Sequence, residues 1–270
     1  MILANRLLVT SITIAATVLP VVAGSLSFST INPPGSTNSI AFGINDSGQI
    51  VGTNYSAGTG FLLSGGSFST INPPGSTNSG AVGINDSGQI VGEYTSGGVE
   101  NGFLLSGGSY TTIDPPGSLL TVAHGINNSG QIVGLYDSAS GDLGFLLSGG
   151  VFTNIDFPGS TLTEAFGINN SGQIVGAYLS GGVAHGFLLS GGSYATIDFP
   201  GSTLTDAVGI NDNGQIVGVY TNAAGTSQGF LATSTPEPST FALSVAAFGL
   251  IIAWSWGRRR KTRNPACAAG

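Results

Sequence analysis

The chain has 270 residues, of which 41% are hydrophobic and only 7% charged, and its net charge is −7. Lys and Arg occur only at the ends, at Arg6 and then from Arg258 onward, while the acidic residues run from Asp46 to Glu237. That distribution excludes a nucleic-acid groove, because cationic side chains supply most of the affinity for phosphate. The hydrophobic fraction excludes a highly charged disordered chain. Glycine is abundant, at 45 residues, but has no every-third-residue period, so a collagen-like helix is excluded. The one cysteine, Cys267, leaves no intrachain disulfide framework and no Cys-based metal site.

Residues 1–23 read as a secretory signal. Arg6 supplies the positive start, "LLVTSITIAATVLPVVA" the apolar stretch, and Val21 and Ala23 the small residues before a cut near Gly24.

From residue 24 to 233 one unit recurs five times. "GINDSGQIVG" starts at Gly43, and its equivalents start at Gly83, Gly125, Gly167 and Gly209, spaced 40 or 42 residues apart. "GFLLSGG" starts at Gly60, Gly102, Gly144 and Gly186, and survives as "GFLATS" from Gly229. Each unit holds four short apolar runs without a 3.6 period. In the fourth unit these are "EAFGIN" (164–169), "QIVGAY" (173–178), "HGFLLS" (185–190) and "YATID" (194–198). Such runs, bounded by Gly, Asn, Ser and Pro, predict strands. Four strands in about 42 residues is the size of a propeller blade.

The expected fold is therefore all-β: five four-stranded repeats, closed as a five-bladed β-propeller, with an open β-solenoid as the alternative. The chain starts with a lone fourth strand, "FSTI" (28–31), and ends the fifth unit on a third strand, "GFL" (229–231). Pairing those two would complete the last blade and remove exposed edges. Ala41, Ala81, Ala123, Ala165 and Ala207 on the first strands are expected to line the crowded axis.

The turns carry their own signals. Pro-Gly in "NPPGS" and "DFPGS" specifies a type II turn between blades. Gly48, Gly88, Gly130, Gly172 and Gly214 are expected in the left-handed region of a hairpin loop joining the first two strands of each blade. Asn45 and its equivalents can bond that turn's backbone. As a cation loop the same stretch fails: Asp46, Asp86 and Asp212 are replaced by Asn128 and Asn170, and no distal acid follows.

Catalytic signals are thin, and neither a cofactor nor a metal is expected. His124 stands where other units have Phe42, Val82, Phe166 and Val208, and is expected to be packed. His185 precedes a strand at a variable position, and no serine is singled out to pair with it. Asp114, Asp156 and Asp198 share one repeat position with Asn32 and Asn72, which suggests bonds into the Pro-Gly turn. The second-to-third-strand connections, such as "TSGGVEN" (95–101), are the most divergent; they are short and read as a recognition rim or as plain loops. They lack aromatic residues for sugar stacking. Tyr55, Tyr94, Tyr136, Tyr178 and Tyr220 recur at strand ends and are expected to pack.

The tail, 234–270, has three parts: Pro236, Glu237 and Pro238; an apolar span over 241–256; and the cluster Arg258, Arg259, Arg260 and Lys261. The positive cluster would stay in the cytoplasm. As a helix the span is about 24 Å long, short of a ~30 Å hydrocarbon core. This order of parts resembles the PEP-CTERM sorting signal of Gram-negative bacteria. The resemblance implies recognition by an exosortase-type processing enzyme, transient inner-membrane anchoring, and release to the cell surface or extracellular matrix. Thr235 stands where that family often has Val. "AHGFLL" (184–189) and "GINNSGQIVG" (167–176) also resemble the extracellular HAF repeat, although only His185 keeps its histidine.

The function expected from these readings is a non-enzymatic exported surface or matrix protein. The alternatives are a lectin-like propeller associated with exopolysaccharide and, less favoured, a secreted hydrolase.

Overall fold

The computed structural model describes residues 29–139 and 141–233, and its compact β unit begins at Asn32. The first blade is β1 (Ser39–Ile44), β2 (Ile50–Asn54), β3 (Thr59–Ser64) and β4 (Ser67–Ile71). The second is β5 (Asn78–Ile84), β6 (Ile90–Ser96), β7 (Val99–Ser106) and β8 (Ser109–Ile113). The third is β9 (Ser118–Ile126), β10 (Ile132–Ser138), β11 (Gly141–Ser148) and β12 (Val151–Ile155). The fourth is β13 (Leu162–Ile168), β14 (Ile174–Ser180), β15 (Val183–Ser190) and β16 (Ser193–Ile197). The fifth is β17 (Ser202–Ile210), β18 (Ile216–Asn222) and β19 (Ser227–Ala232). All pairings are antiparallel between chain neighbours. No helix occurs among the described residues.

The five sheets are the blades of a five-bladed β-propeller. Their β-hairpins 44–46, 84–86, 126–128, 168–170 and 210–212 converge on one opening, which an open solenoid cannot do. Among the described residues the fifth blade has three strands. The expected fourth begins at Phe28, outside the described residues, and residues 29–31 carry no strand.

Each interface between blades repeats one packing scheme. A valine of the second strand (Val51, Val91, Val133, Val175) is fully buried against the alanine of the next blade's first strand. Four of the five alanines, Ala81, Ala123, Ala165 and Ala207, therefore belong to the inter-blade cores, while Ala41 of β1 is exposed. Ala81, Ala123, Ala165 and Ala207 are 0% exposed, and three of them, Ala81, Ala165 and Ala207, pack closely on a third-strand glycine of the blade before, Gly60, Gly144 and Gly186. Phe103, Phe145 and Phe187 fill three of these cores at 0% exposure, and the partly buried Phe230 packs against the fourth. The fifth blade departs from the scheme: Val217 is 51% exposed, and Ile40, Phe42 and Ile44 of β1 are exposed as well.

The turns explain the tight repeat. Gly48, Gly88, Gly130, Gly172 and Gly214 have φ of +72° to +75°. In each Pro-Gly turn the Ser N–H donates to the carbonyl three residues earlier, as Ser160 does to Phe157 at 3.0 Å, and Gly159 has φ +82°. The divergent second-to-third-strand connections are as short as expected, four residues in blades one and five. In blades two and four the strands run on until two glycines, Gly97–Gly98 and Gly181–Gly182, turn the chain with positive φ. Positive φ at both central positions suits the twist of a two-residue hairpin.

Candidate functional site

The first cluster of polar side chains surrounds the common opening. Asn127 is buried and holds three parts together. Its Oδ1 accepts the Gln131 N–H at 3.0 Å, and its Nδ2 donates to Gln131 Oε1 at 2.8 Å and to the Asn169 carbonyl of the next blade at 3.1 Å. Asn45, Asn85 and Asn169 repeat these bonds. The exposed residue after each asparagine makes a second ring. The Asp46 N–H donates to Asp86 Oδ1, and the Asp86 N–H to Asn128 Oδ1, both at 2.9 Å. The Asp46 N–H and the Asn128 amide hold the Asp86 carboxyl below its ordinary range. These oxygens are thus engaged between blades. Among the described residues no group of three or more His, Cys, Asp or Glu is placed to hold a metal.

A second cluster lies between blades one and two. Glu93, Glu100, Tyr55, Tyr94, Thr53 and Ser79 line a cavity of about 120 Å³. Burial, with the Glu100 charge added, pushes the Glu93 carboxyl up to about 7. Gly80 opposite makes room for it: a Cβ there would lie 2.9 Å from Glu93 Oε1. Glu164 is likewise raised, by burial and by the charges of Asp206 and Asp142.

The third cluster is asymmetric. His185 Nδ1 lies 3.0 Å from both carboxylate oxygens of Asp198. The pair lines a cleft of about 260 Å³ with Val183, Phe199, Pro200 and Ser202. The β15–β16 ladder creates it: Gly186 pairs with Ile197, so residues 185 and 198 face each other one step beyond. Behind the imidazole stand two more rings. Tyr178 stacks on His185 at 5.2 Å, and Phe157 stacks on Tyr178 at 3.6 Å with planes 3° apart. Phe199 stacks on Tyr220 in the same way, at 3.7 Å.

Asp198 is diverted from the role its repeat equivalents play. Asn72, Asp114 and Asp156 each accept from the Ser of the following Pro-Gly turn. Ser202 is instead bonded to Thr205 Oγ1 at 2.9 Å, and Asp198 turns to His185. Tyr94, Tyr136, Tyr178 and Tyr220 bond across their own blades, as Tyr136 OH does to Asn154 Oδ1 at 3.0 Å, whereas Tyr55 is exposed rather than packed. His124 packs against Phe166 and its Nδ1 lies 3.1 Å from the Ala165 carbonyl. Burial holds its pKa below the ordinary range despite that bond.

Sequence reasoning missed the His185–Asp198 pair, although a strand register summing each rung to one constant could have found it. It also missed that Phe at the variable Pro/Phe position (Phe157, Phe199) supplies ring faces at the rim. Pro236, Glu237, Pro238, the 241–256 span and Arg258, Arg259, Arg260 and Lys261 lie outside the described residues, as do residues 1–23. Among the described residues no helix is long and apolar enough to cross a membrane.

Fold and clusters together define a five-bladed propeller of near-identical blades with one singular rim cleft. No protein-family model and no curated protein matches the chain. Among solved structures it is similar to TolB from Acinetobacter baumannii, with a TM-score of 0.50 and 14% identity, over 74% of this chain and 55% of that one. It is also similar to virginiamycin B lyase from Staphylococcus aureus, with a TM-score of 0.46 and 13% identity, over 73% and 71% of the two chains. A third is the fucose-specific lectin from Aleuria aurantia, with a TM-score of 0.45 and 16% identity, over 73% and 74%. At such identities the likeness concerns the fold alone.

Proposed function

We propose that this chain is a non-enzymatic protein of the cell surface or extracellular matrix, exported through its first 23 residues and processed at Pro236–Glu237–Pro238 by an exosortase-type enzyme. The observation that carries the non-enzymatic part is where the polar side chains are spent. The repeated Asn, Asp and Gln groups bond blade to blade. The cleft beside His185 has two hydroxyls, and both are engaged: Ser202 with Thr205, and Thr203 with the Thr221 carbonyl at 3.1 Å. A nucleophilic site needs such a hydroxyl bonded to the base. Export and processing rest on the order of the two terminal segments and on a middle that lacks Lys and Arg.

Fractionation of the producing cells with intact-mass measurement tests the proposal. The expected product is found outside the inner membrane and ends near Pro238. Recovery of a membrane-bound chain with Trp254 and Arg258 still attached overturns the processing.

A further inference from the structure

We infer that the cleft of His185, Asp198, Phe199 and Pro200 is a binding subsite for one ring of a neutral sugar. The inference does not depend on how the chain is exported or processed.

Size comes first. At about 260 Å³ the cleft falls below the roughly 300–1,000 Å³ of sites for drug-sized ligands, so it suits a single small ring.

Hydrogen bonding comes second. Nδ1 is the ring nitrogen committed to Asp198, so Nε2 remains for a ligand. With the proton on Nδ1, Nε2 is an acceptor. A carboxylate offers about four lone-pair sites, and Asp198 gives only part of them to the imidazole. The pair therefore offers a ligand two separate polar points, the remaining lone pairs of Asp198 and Nε2 on the opposite edge of the imidazole, which different hydroxyls of one pyranose can engage.

Charge comes third. No Lys or Arg occurs between Arg6 and Arg258, so nothing in the propeller balances an anionic ligand. Uronates, sulfates and phosphates are excluded at the same stroke. Phe199, Pro200 and Val183 give the C–H face of the ring an apolar wall.

Preorganisation comes last. The pile of Phe157, Tyr178 and His185 holds the imidazole before any ligand arrives. A pre-positioned group loses less conformational freedom on binding. The site is also singular: Thr59, Asn101, Leu143 and Gln228 replace His185 in the other blades.

The test is ligand-observed NMR titration of the full chain at pH 7 with methyl glucoside, galactoside and mannoside. Glucuronate and methylammonium serve as contrasting probes. Two variants, Asp198→Asn and His185→Gln, place residues already found at equivalent positions of other blades (Asn72 and Gln228), so the fold should accept them. Circular dichroism and Tm verify that it does. A third, Asp156→Asn, is the control. At least one neutral glycoside is expected to bind at millimolar concentration, with about tenfold or greater weakening in Asp198→Asn and His185→Gln and none in Asp156→Asn. Binding of no neutral glycoside overturns the inference. So does equal binding of glucuronate or methylammonium, or binding untouched by both variants.

Discussion

Glu93 shows how much one side chain can matter in a chain with so few charges. Its carboxyl is held up at about 7 by burial and by Glu100, against an ordinary 4.5. Between these two values the unfolded chain has released its proton and the folded chain has kept it. The contribution of Glu93 is therefore fully present below pH 4.5 and is lost as pH rises through 7. The loss is on the order of 3 kcal/mol. Burial also raises Asp206 and Glu164, which adds to the same trend. Urea midpoints across pH 5 to 8 are expected to fall in the wild-type protein and to fall distinctly less in Glu93→Gln. Equal slopes in the two proteins would refute the assignment. The repeat pattern held a mark of Glu93, since Thr53, Leu135, Ala177 and Val219 share its position, but not the neighbours that shift its carboxyl. Its environment comes from Gly80 across the ladder and Thr53 of the blade before.

At the scale of the strand and turn, two glycines of one blade do different work. Gly130 has φ +73°, and an added Cβ would make only an ordinary contact with Gln89 Oε1 at 3.7 Å, so a methyl there costs mainly the left-handed conformation. That is roughly 1–2 kcal/mol. Gly134 has an ordinary φ, but a Cβ there would lie 2.0 Å from the Val122 carbonyl oxygen and 2.8 Å from the Phe145 ring. Gly134→Ala must move backbone, and is expected to destabilise well beyond Gly130→Ala in thermal denaturation. A Tm for Gly134→Ala at or above that of Gly130→Ala would contradict this packing. The hairpin glycine was legible in sequence because Asn-x-x-Gly between apolar runs has a local meaning. The role of Gly134 was not, because the carbonyl and ring that fill its space belong to β9 and β11.

Over the whole molecule, stability rests on blades packing against blades, and the interfaces are unequal. Val133 is 0% exposed between blades three and four, while Val217 at the same repeat position is 51% exposed. Val133→Ala is expected to cost about 2–3 kcal/mol through lost burial and a residual cavity. Val217→Ala is expected to cost under about 1 kcal/mol, as for a surface change. Chemical denaturation of the two variants measures the difference. An equal cost would mean that the face of blade five is covered in solution as the other four are.

The five-fold repeat, the strand content, the blade size and the turn chemistry follow from the sequence by itself. Each is a local pattern of period two bounded by Gly, Pro and Asn, and five copies make it unmistakable. Tertiary structure alone decided that Ala81, Ala123, Ala165 and Ala207 pack between blades, that Glu93 is buried beside Glu100, and that His185 meets Asp198. Those facts depend on strand register and on the next blade's position. His185 meets Asp198 13 residues away, and Asn127 meets Asn169 42 residues away, where no local pattern reaches.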